Sequence, residues 1–372
     1  MPGLSMRVEG SGPVALAFAL FARRLLGPQA SVALDAPAAG PGPASVAARP
    51  LAISHGTRLL VERVAAFPTD AAPIRAIDIA LSGLPGRMRL EAAELQLPAL
   101  GWVVRHGRLA QALRQALDDA PAQALPDPAD PCAAPAPDSA ALRVVADGDP
   151  GEDADTLAHA QSAVLAEVTA SAGTAHLAVE RFTPDGPLAL LPLPAQPGAP
   201  ARWSLVWCAD TTLAQARAAL PRTAFEQALQ HAFGGAFGTL ALASEPAAVP
   251  LARRARRVLV RQRTVWIGNA AQALHPVAGQ GLNLGVRDAY ELADTLARGL
   301  QHYEPVDAAL ARYAERRALD RASMLRVTDA LARGLRAPLA RPVQSLALGL
   351  ADSVPSVRTA LARGFMHGFA RV

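Results

Sequence analysis

The sequence contains no lysine; all 36 of its basic residues are arginine. A GC-rich coding bias, which favours Ala, Arg, Gly and Pro whatever a protein does, explains that absence without a functional cause. Helix propensity read from the abundant alanine is discounted for the same reason. Cysteine is almost as scarce: Cys132 and Cys208 stand far apart and match no zinc or redox spacing, which excludes a disulfide framework and fits a reducing compartment. Aromatic residues reach only 4%, too few for a base-stacking platform, and a net charge of +4 does not by itself argue for a nucleic-acid partner. No apolar run approaches the ~20 residues that cross a bilayer. The opening MPGLSMRVEG lacks the basic, apolar and small-residue succession of a secretory leader, so a cytoplasmic protein is expected.

What remains is a chain of 372 residues that is 51% hydrophobic, with 28 Gly and 32 Pro. At two to two and a half times the ~150-residue domain prior, it predicts one large α/β unit or two intimately packed domains. Leu4 to Glu9 reads as a strand, Gly10-Ser11-Gly12-Pro13-Val14-Ala15 as a turn into a helix ending near Leu26, and Ser31 to Leu34 as a second strand closed by Asp35. Gly10 permits the tight turn, Gly12 lets a pyrophosphate approach the backbone, Pro13 suits a first helical turn, and Ala15 allows close helix–strand packing. Asp35 falls where an acid can accept hydrogen bonds from ribose hydroxyls. An ordinary glycine turn with a capping aspartate is the alternative.

Further along, a helix is expected from about His55 to Ala66, a hairpin within 74–97, and a Pro/Ala/Asp surface loop at 118–140. Ala146-Asp147-Gly148 follows a short strand at Leu142 to Val145 and leads into an acidic coil ending at Asp155. Four strands then form an antiparallel set, followed by helices near Leu213 to Leu220 and Thr223 to Ala232. A strand at Val265 to Ile267 feeds GNAAQALHPVAGQGLN, residues 268–283, and everything after Leu282 is helical in pattern. Gly279 and Gly281 would let the loop backbone approach a flat ring, and the helix beginning near Asn283 would aim its positive end at that ring.

The segment 268–283 resembles the second flavin motif of the class A flavoprotein monooxygenases, and within them the ubiquinone-biosynthesis hydroxylases. Gly-Asn-Ala-Ala-Gln at 268–272 is similar to the 2-polyprenyl-6-methoxyphenol hydroxylase branch. Ala48-Arg49-Pro50-Leu51-Ala52-Ile53-Ser54 resembles the family's Arg-x-x-Ala-Leu-Ser segment. Glu180 to Pro192 is close to its sheet-and-turn signature, and Tyr313-Ala314-Glu315-Arg316-Arg317 with Asp320-Arg321 to its tail.

The resemblance implies an α/β fold: a Rossmann-like FAD-binding domain, an antiparallel-sheet substrate domain and a helical C-terminal region. Residues 1–72, 98–160 and 255–330 would form the first, 73–97 and 161–254 the second, and 331–372 the tail. It implies FAD as cofactor, NAD(P)H as probable reductant, and hydroxylation of a polyprenyl phenol on the way to ubiquinone. The implied cofactor contacts are Gly10, Gly12, Pro13, Ala15, Asp35, Arg49, Asp147, Gly268, Asn269, Pro276, Gly279, Gln280, Gly281 and Asn283. His275 and Pro276 are candidates at the junction of flavin and substrate, although a structural histidine is an alternative for His275. No metal is expected.

Where the family follows Asp-Gly with serine and arginine, this chain carries Asp149-Pro150-Gly151-Glu152-Asp153. That departure leaves a second reading, a weakened homologue acting as a scaffold in a quinone-biosynthesis assembly. A third is another aromatic hydroxylase on the same fold. Arg253, Arg254, Arg256, Arg257, Arg261 and Arg263 form a basic cluster, read either as a solvated face or as an attraction to anionic lipid. With Phe365, Met366 and Phe369 among Arg358, Arg363 and Arg371, the latter reading implies peripheral contact with the inner face of the cytoplasmic membrane.

Overall fold

The computed structural model describes residues 4–35, 44–120, 142–235, 237–273, 280–334 and 341–367. The strand, glycine turn, helix and strand of the opening form as β1 (Leu4–Glu9), α1 (Pro13–Leu26) and β2 (Ala30–Asp35). Pro13 takes the first helical position, where its missing N–H costs nothing. Every residue of α1 from Pro13 to Ala22 is buried, so the helix is apolar all round and lies inside the molecule. β1 sits within a five-stranded sheet in the order β15 (Val260–Arg261), β16 (Thr264–Trp266), β8 (Leu142–Val145), β1, β2. The β16–β8–β1–β2 pairings are parallel. Strands from opposite ends of the chain therefore build one sheet.

A small antiparallel sheet joins β3 (Pro50–Ser54), β7 (Gly101–Arg105) and β4 (Ala72–Ile74). The short α2 (Ala44–Ala47) precedes β3. The helix expected over 55–66 stops earlier, as α3 (His55–Val61), because the chain turns at Glu62 to Ala65. α4 (His106–Asp119) follows β7 and buries Leu109, Leu113 and Leu117, one helical stripe, against α1.

The third sheet has nine strands. Its order is β17 (Gln272–Ala273), β14 (Ala247–Arg256), β9 (Ala154–Ala170), β12 (Arg202–Asp210), β11 (Pro187–Pro192), β10 (Leu177–Phe182), β5 (Ala76–Leu81), β6 (Arg87–Glu91), and β13 (Leu240–Leu242) pairs with β9. The antiparallel reading holds with one exception: β10 and β5 run parallel, because the β5–β6 hairpin enters from the earlier part of the chain. The coil expected to Asp155 ends sooner, since β9 already begins at Ala154. On one face of this sheet Trp203, Leu205 and Trp207 pack against Phe225, Leu229 and Phe233 of α6 (Arg222–Phe233), with α5 (Thr211–Ala218) beside them. Burying an aromatic of that size contributes roughly 1.5–3 kcal/mol.

Four helices complete the chain after the short α7 (Gly268–Ala271): α8 (Gln280–Gln301), α9 (Val306–Gly334), α10 (Arg341–Ser353) and α11 (Pro355–His367). α10 and α11 fold back so that Leu348, Ala351, Leu361, Ala362 and Met366 cover Met88 and Leu90 of the hairpin. Met366 is buried and its carbonyl accepts the Ser54 hydroxyl, which removes it from any lipid-facing surface. Phe369 and Arg371 lie outside the described residues. So does most of the loop expected at 118–140.

α8 crosses α1 at Gly285. A Cβ there would stand 2.8 Å from Val14 Cγ2 and 3.0 Å from Gly268 Cα, whereas one on Gly281, a turn earlier, would meet nothing within 4 Å. Gly285→Ala should therefore lower unfolding free energy by about 1–3 kcal/mol in urea denaturation, overriding the ~1 kcal/mol by which alanine favours a helix. Gly281→Ala should leave stability unchanged or raised. Equal effects of the two substitutions would contradict this packing.

Candidate cofactor and substrate site

The site begins where β1 and β8 end side by side. Gly10 turns the chain at φ +139°, a conformation that L side chains rarely adopt, and a Cβ on it would stand 3.1 Å from that of Ala15. The Asp147 carboxylate accepts the backbone N–H of Ser11 at 2.6 Å and of Gly12 at 2.7 Å. A Cβ on Gly12 would come within 2.8 Å of Asp147 Oδ1, so glycine is required by the carboxylate as well as by any ligand. Asp147 thus shapes the turn and sets a negative charge at the positive end of α1. Asp35 stands at the end of β2, opposite Glu9 in register, and pairs with Arg7.

Arg49 and His106 complete this corner. The His106 N–H donates to the Arg49 carbonyl at 2.8 Å, and His106 opens α4. Burial pushes the His106 imidazole below its ordinary range, the nearby Arg49 charge pushes the same way, and Asp147 opposes them. The structure therefore brings the glycine turn, Asp147, Arg49 and His106 together. His106 escaped the sequence reading because nothing local distinguishes it; only the β3–β7 pairing carries it beside Arg49.

The second motif is held from behind. Gly268 starts α7 at φ +56°, and its N–H donates to Asp288 Oδ2 at 3.1 Å. Gln272 donates to the same oxygen at 2.6 Å, and Arg317 Nε to Oδ1 at 2.7 Å. Arg317 also holds Asp320 at 2.5 Å, and Arg321 reaches Gln272 at 2.8 Å and the Ala271 carbonyl at 3.1 Å. Burial alone would lower the affinity of Arg317 for its proton, but Asp288 and Asp320 hold it above its ordinary value. The tail residues that resemble the family thus act as a clamp on residues 268–272.

Asn269 is exposed at this motif. In the first turn of α8, Gln280 is buried with its side-chain oxygen unpaired, and Gly281 faces open space. Asn283 accepts the Ser54 N–H at 2.9 Å and donates to the Ala52 carbonyl at 3.0 Å. That amide ties β3 to α8 and acts by positioning. His275, Pro276 and Gly279 lie outside the described residues. The open space at Gly281, the Arg49 charge beside the start of α1 and, among the described residues, the unpaired buried acceptor of Gln280 fit an anionic dinucleotide carrying a flat ring.

The acidic coil and the basic cluster are partners. Asp149 pairs with Arg254, Asp153 with Arg256 at 3.2 Å and with Arg261 at 3.1 Å, and Asp155 with Arg257 at 3.5 Å. Arg263 lies 3.6 Å from Asp307. Arg257 and Arg261 remain exposed to solvent while paired, and Arg254, Arg256, Arg257 and Arg261 together offset the coil's charge beside a bound pyrophosphate.

On the other face of the nine-stranded sheet, Glu180 projects from β10 among apolar neighbours. Burial pushes its carboxyl up to about 7. The sequence places it in a strand, and the register alone shows which way it faces.

Residues 150–328 match the family described as FAD binding domain. The chain is 33% identical over 288 residues to the ubiquinone hydroxylase UbiL of Rhodospirillum rubrum, covering 71% of this chain and 65% of that protein. It is 31% identical over 253 residues to the 3-demethoxyubiquinol 3-hydroxylase of Escherichia coli K12, covering 62% of this chain and 63% of that protein. The chain is similar to these FAD-dependent hydroxylases over most of its own length. It spans just under two thirds of the length of these two relatives. The p-nitrophenol 4-monooxygenase PnpA of Pseudomonas putida shares the fold, with a TM-score of 0.70 at 17% identity over 98% of this chain and 99% of that one. PqsL of Pseudomonas aeruginosa does too, at a TM-score of 0.68 and 15% identity over 93% of this chain and 100% of that one.

A histidine whose folded affinity for protons lies below its unfolded value of about 6.5 binds its proton more tightly in the unfolded chain. Its contribution to stability is therefore complete above that value and declines as pH falls through it. His106→Asn should flatten the acid side of the stability profile, measured by urea denaturation of wild type and variant across the histidine range. Parallel profiles would show that His106 does not sense Arg49 in this way.

Proposed function

We propose that this protein is an FAD-dependent monooxygenase that hydroxylates the aromatic ring of a polyprenyl phenol in ubiquinone biosynthesis. The observation that carries the reading is the corner where the Gly10–Gly12 turn, Asp147, Arg49 and His106 meet. Similarity to the two ubiquinone-pathway hydroxylases supports the substrate class. Residues 1–72, 98–160 and 255–330 are the cofactor unit in this reading, 73–97 and 161–254 the substrate sheet, and 331–372 the tail.

Bound FAD supplies the electron transfer and dioxygen activation that no side chain can. With the Ser11 and Gly12 amides held by Asp147, the amides at the start of α1 would take the diphosphate, Pro13 and Ala15 set the helix against the sheet, and Asp35 would take a ribose hydroxyl. Arg49 would offset the negative charge that Asp147 and the diphosphate together create, and the imidazole of His106, held toward its neutral form, packs beside it. Gly268, Asn269, Gln280 and Gly281 would line the ring and Asn283 holds β3 in place, while the roles that the resemblance implies for His275, Pro276 and Gly279 fall outside the described residues. NAD(P)H is the reductant: two electrons from the nicotinamide send one oxygen atom to the ring carbon and the other to water.

No described helix is long and apolar enough to cross a membrane. Val343, Leu346 and Leu350 are exposed along α10, continuing to Val354 and Val357. These residues, in place of Met366, are the surface through which we expect the protein to meet the bilayer that holds a polyprenyl substrate.

The test is product analysis. Protein loaded with FAD is given NADH, isotopically heavy dioxygen and a short-chain prenylated phenol. One heavy oxygen atom in the recovered ring is expected. Reduction of the cofactor without a labelled product would overturn the substrate assignment, and no reduction would overturn the monooxygenase reading.

A further inference from the structure

Glu180 is a charged side chain that the clamp, the cofactor corner and the ion-pair clusters leave unused. Its backbone lies between Ile79 of β5 and Ala189 of β11. On either side of it, Val179 packs among Trp203, Trp207 and Phe233, and the Arg181 guanidinium sits 5.4 Å from the Phe233 ring centroid while bonding Asp78 at 3.1 Å. Strand alternation therefore turns Glu180 to the opposite face. The register places Ile79, Ala189, Val206, Cys208 and Ala163 on that face with it.

That face looks onto the cofactor half of the molecule. Ala178, two residues before Glu180, packs with Ala72, Ile74 and Val103 of the three-stranded sheet. Glu167, on the same face, pairs with Arg105 at 2.7 Å. The three-stranded sheet carries Ser54, whose N–H is held by Asn283 in the first turn of α8. Glu180, half-buried, thus lies on the face of the substrate sheet that packs toward the three-stranded sheet and the proposed flavin site. Among the described residues no group gives its carboxyl a hydrogen bond or an ion pair. Asp78, Arg87 and Arg181 are on the far face, and the Arg105–Glu167 pair satisfies itself. Arg202, also on this face, lies 3.5 Å from Glu167 and so shares that pair, and Cys208 is a thiol that burial and the Glu180 charge push up to about 12, so it stays neutral. A carboxyl left unpaired among apolar side chains is costly, and such groups concentrate where chemistry needs them.

We propose that Glu180 holds the phenolic O–H of the substrate and accepts its proton as the ring is hydroxylated. This rests on the hydroxylase reading above. The O–H bond breaks, the proton passes to a Glu180 carboxylate oxygen, and the electron pair stays on the phenolate, enriching the ring for attack by an electrophilic oxygen. As the C–O bond forms, the C–H bond of the attacked carbon breaks and its hydrogen leaves as a proton to water, which restores the aromatic ring. The carboxyl returns the proton to the product oxygen before release, so no net proton is consumed by the protein. A carboxyl pushed up to about 7 can do both near neutral pH.

The experiment compares wild type with Glu180→Gln and Glu180→Asp, each loaded with FAD, using 2-prenylphenol as the probe. In Glu180→Gln, kcat should fall by on the order of 100-fold, with KM changed by less than about 3-fold and the acid limb of the pH profile lost. Glu180→Asp should restore part of the rate. Difference infrared spectroscopy of wild type should show a carboxylic acid band that disappears as pH rises through about 7 and is absent from Glu180→Gln. Wild-type turnover and pH profile in Glu180→Gln, or no such band, would overturn the proposal. Should wild type itself fail to hydroxylate the probe, the hydroxylase reading falls, while the infrared titration still decides whether Glu180 is the ionising group on this face.

Discussion

The structure turns on one buried carboxylate. Asp288 receives the Gly268 N–H, the Gln272 amide and the Arg317 guanidinium, so three chain segments remote in sequence meet at a single side chain. Arg317 and Asp288 are both nearly inaccessible. Removing one partner of such a pair leaves an uncompensated buried charge, which commonly costs about 3–5 kcal/mol. The geometry that results fixes α7, the start of the second motif and the crossing of α8 on α1. The glycine turn at Gly10 to Gly12 is then set against that crossing through Val14, which touches the space required by both Gly268 and Gly285.

Arginine does the electrostatic work elsewhere too. The coil after Asp147-Gly148 departs from the family by carrying acids where serine and arginine are expected, and the arginines of β14 and β15 answer it pair by pair. Most of these pairs are partly exposed, so each contributes little stability on its own. Their consequence is local neutrality beside the cofactor corner. This pairing weighs against reading the chain as a weakened scaffold, because Asp149, Asp153 and Asp155 of the substituted coil each meet an arginine.

Local pattern made much of this legible. The βαβ opening, the hairpin at β5–β6, the strands β10 to β12 and the four late helices all follow from hydrophobic period and turn residues. The parallel pairing of β5 with β10 did not, because it joins segments about a hundred residues apart and no local signal specifies a partner. Glu180 was visible as part of a strand, yet its direction depends on which neighbours Val179 and Arg181 find. Asn283 was legible as a site residue by its place in the motif, while its bridge to Ser54 and Ala52 belongs to tertiary structure. His106 likewise acquires its surroundings only when β3 pairs with β7.

The central claim is that this chain's own residues hold FAD. Equilibrium dialysis of the purified, flavin-stripped protein against FAD, read by visible absorbance, tests it most directly. The account predicts saturable uptake of about one FAD per chain with a structured flavin spectrum, and uptake should weaken at least about tenfold in Arg49→Ala, a change of ~1.4 kcal/mol. Protein that remains colourless at saturating FAD would contradict the account.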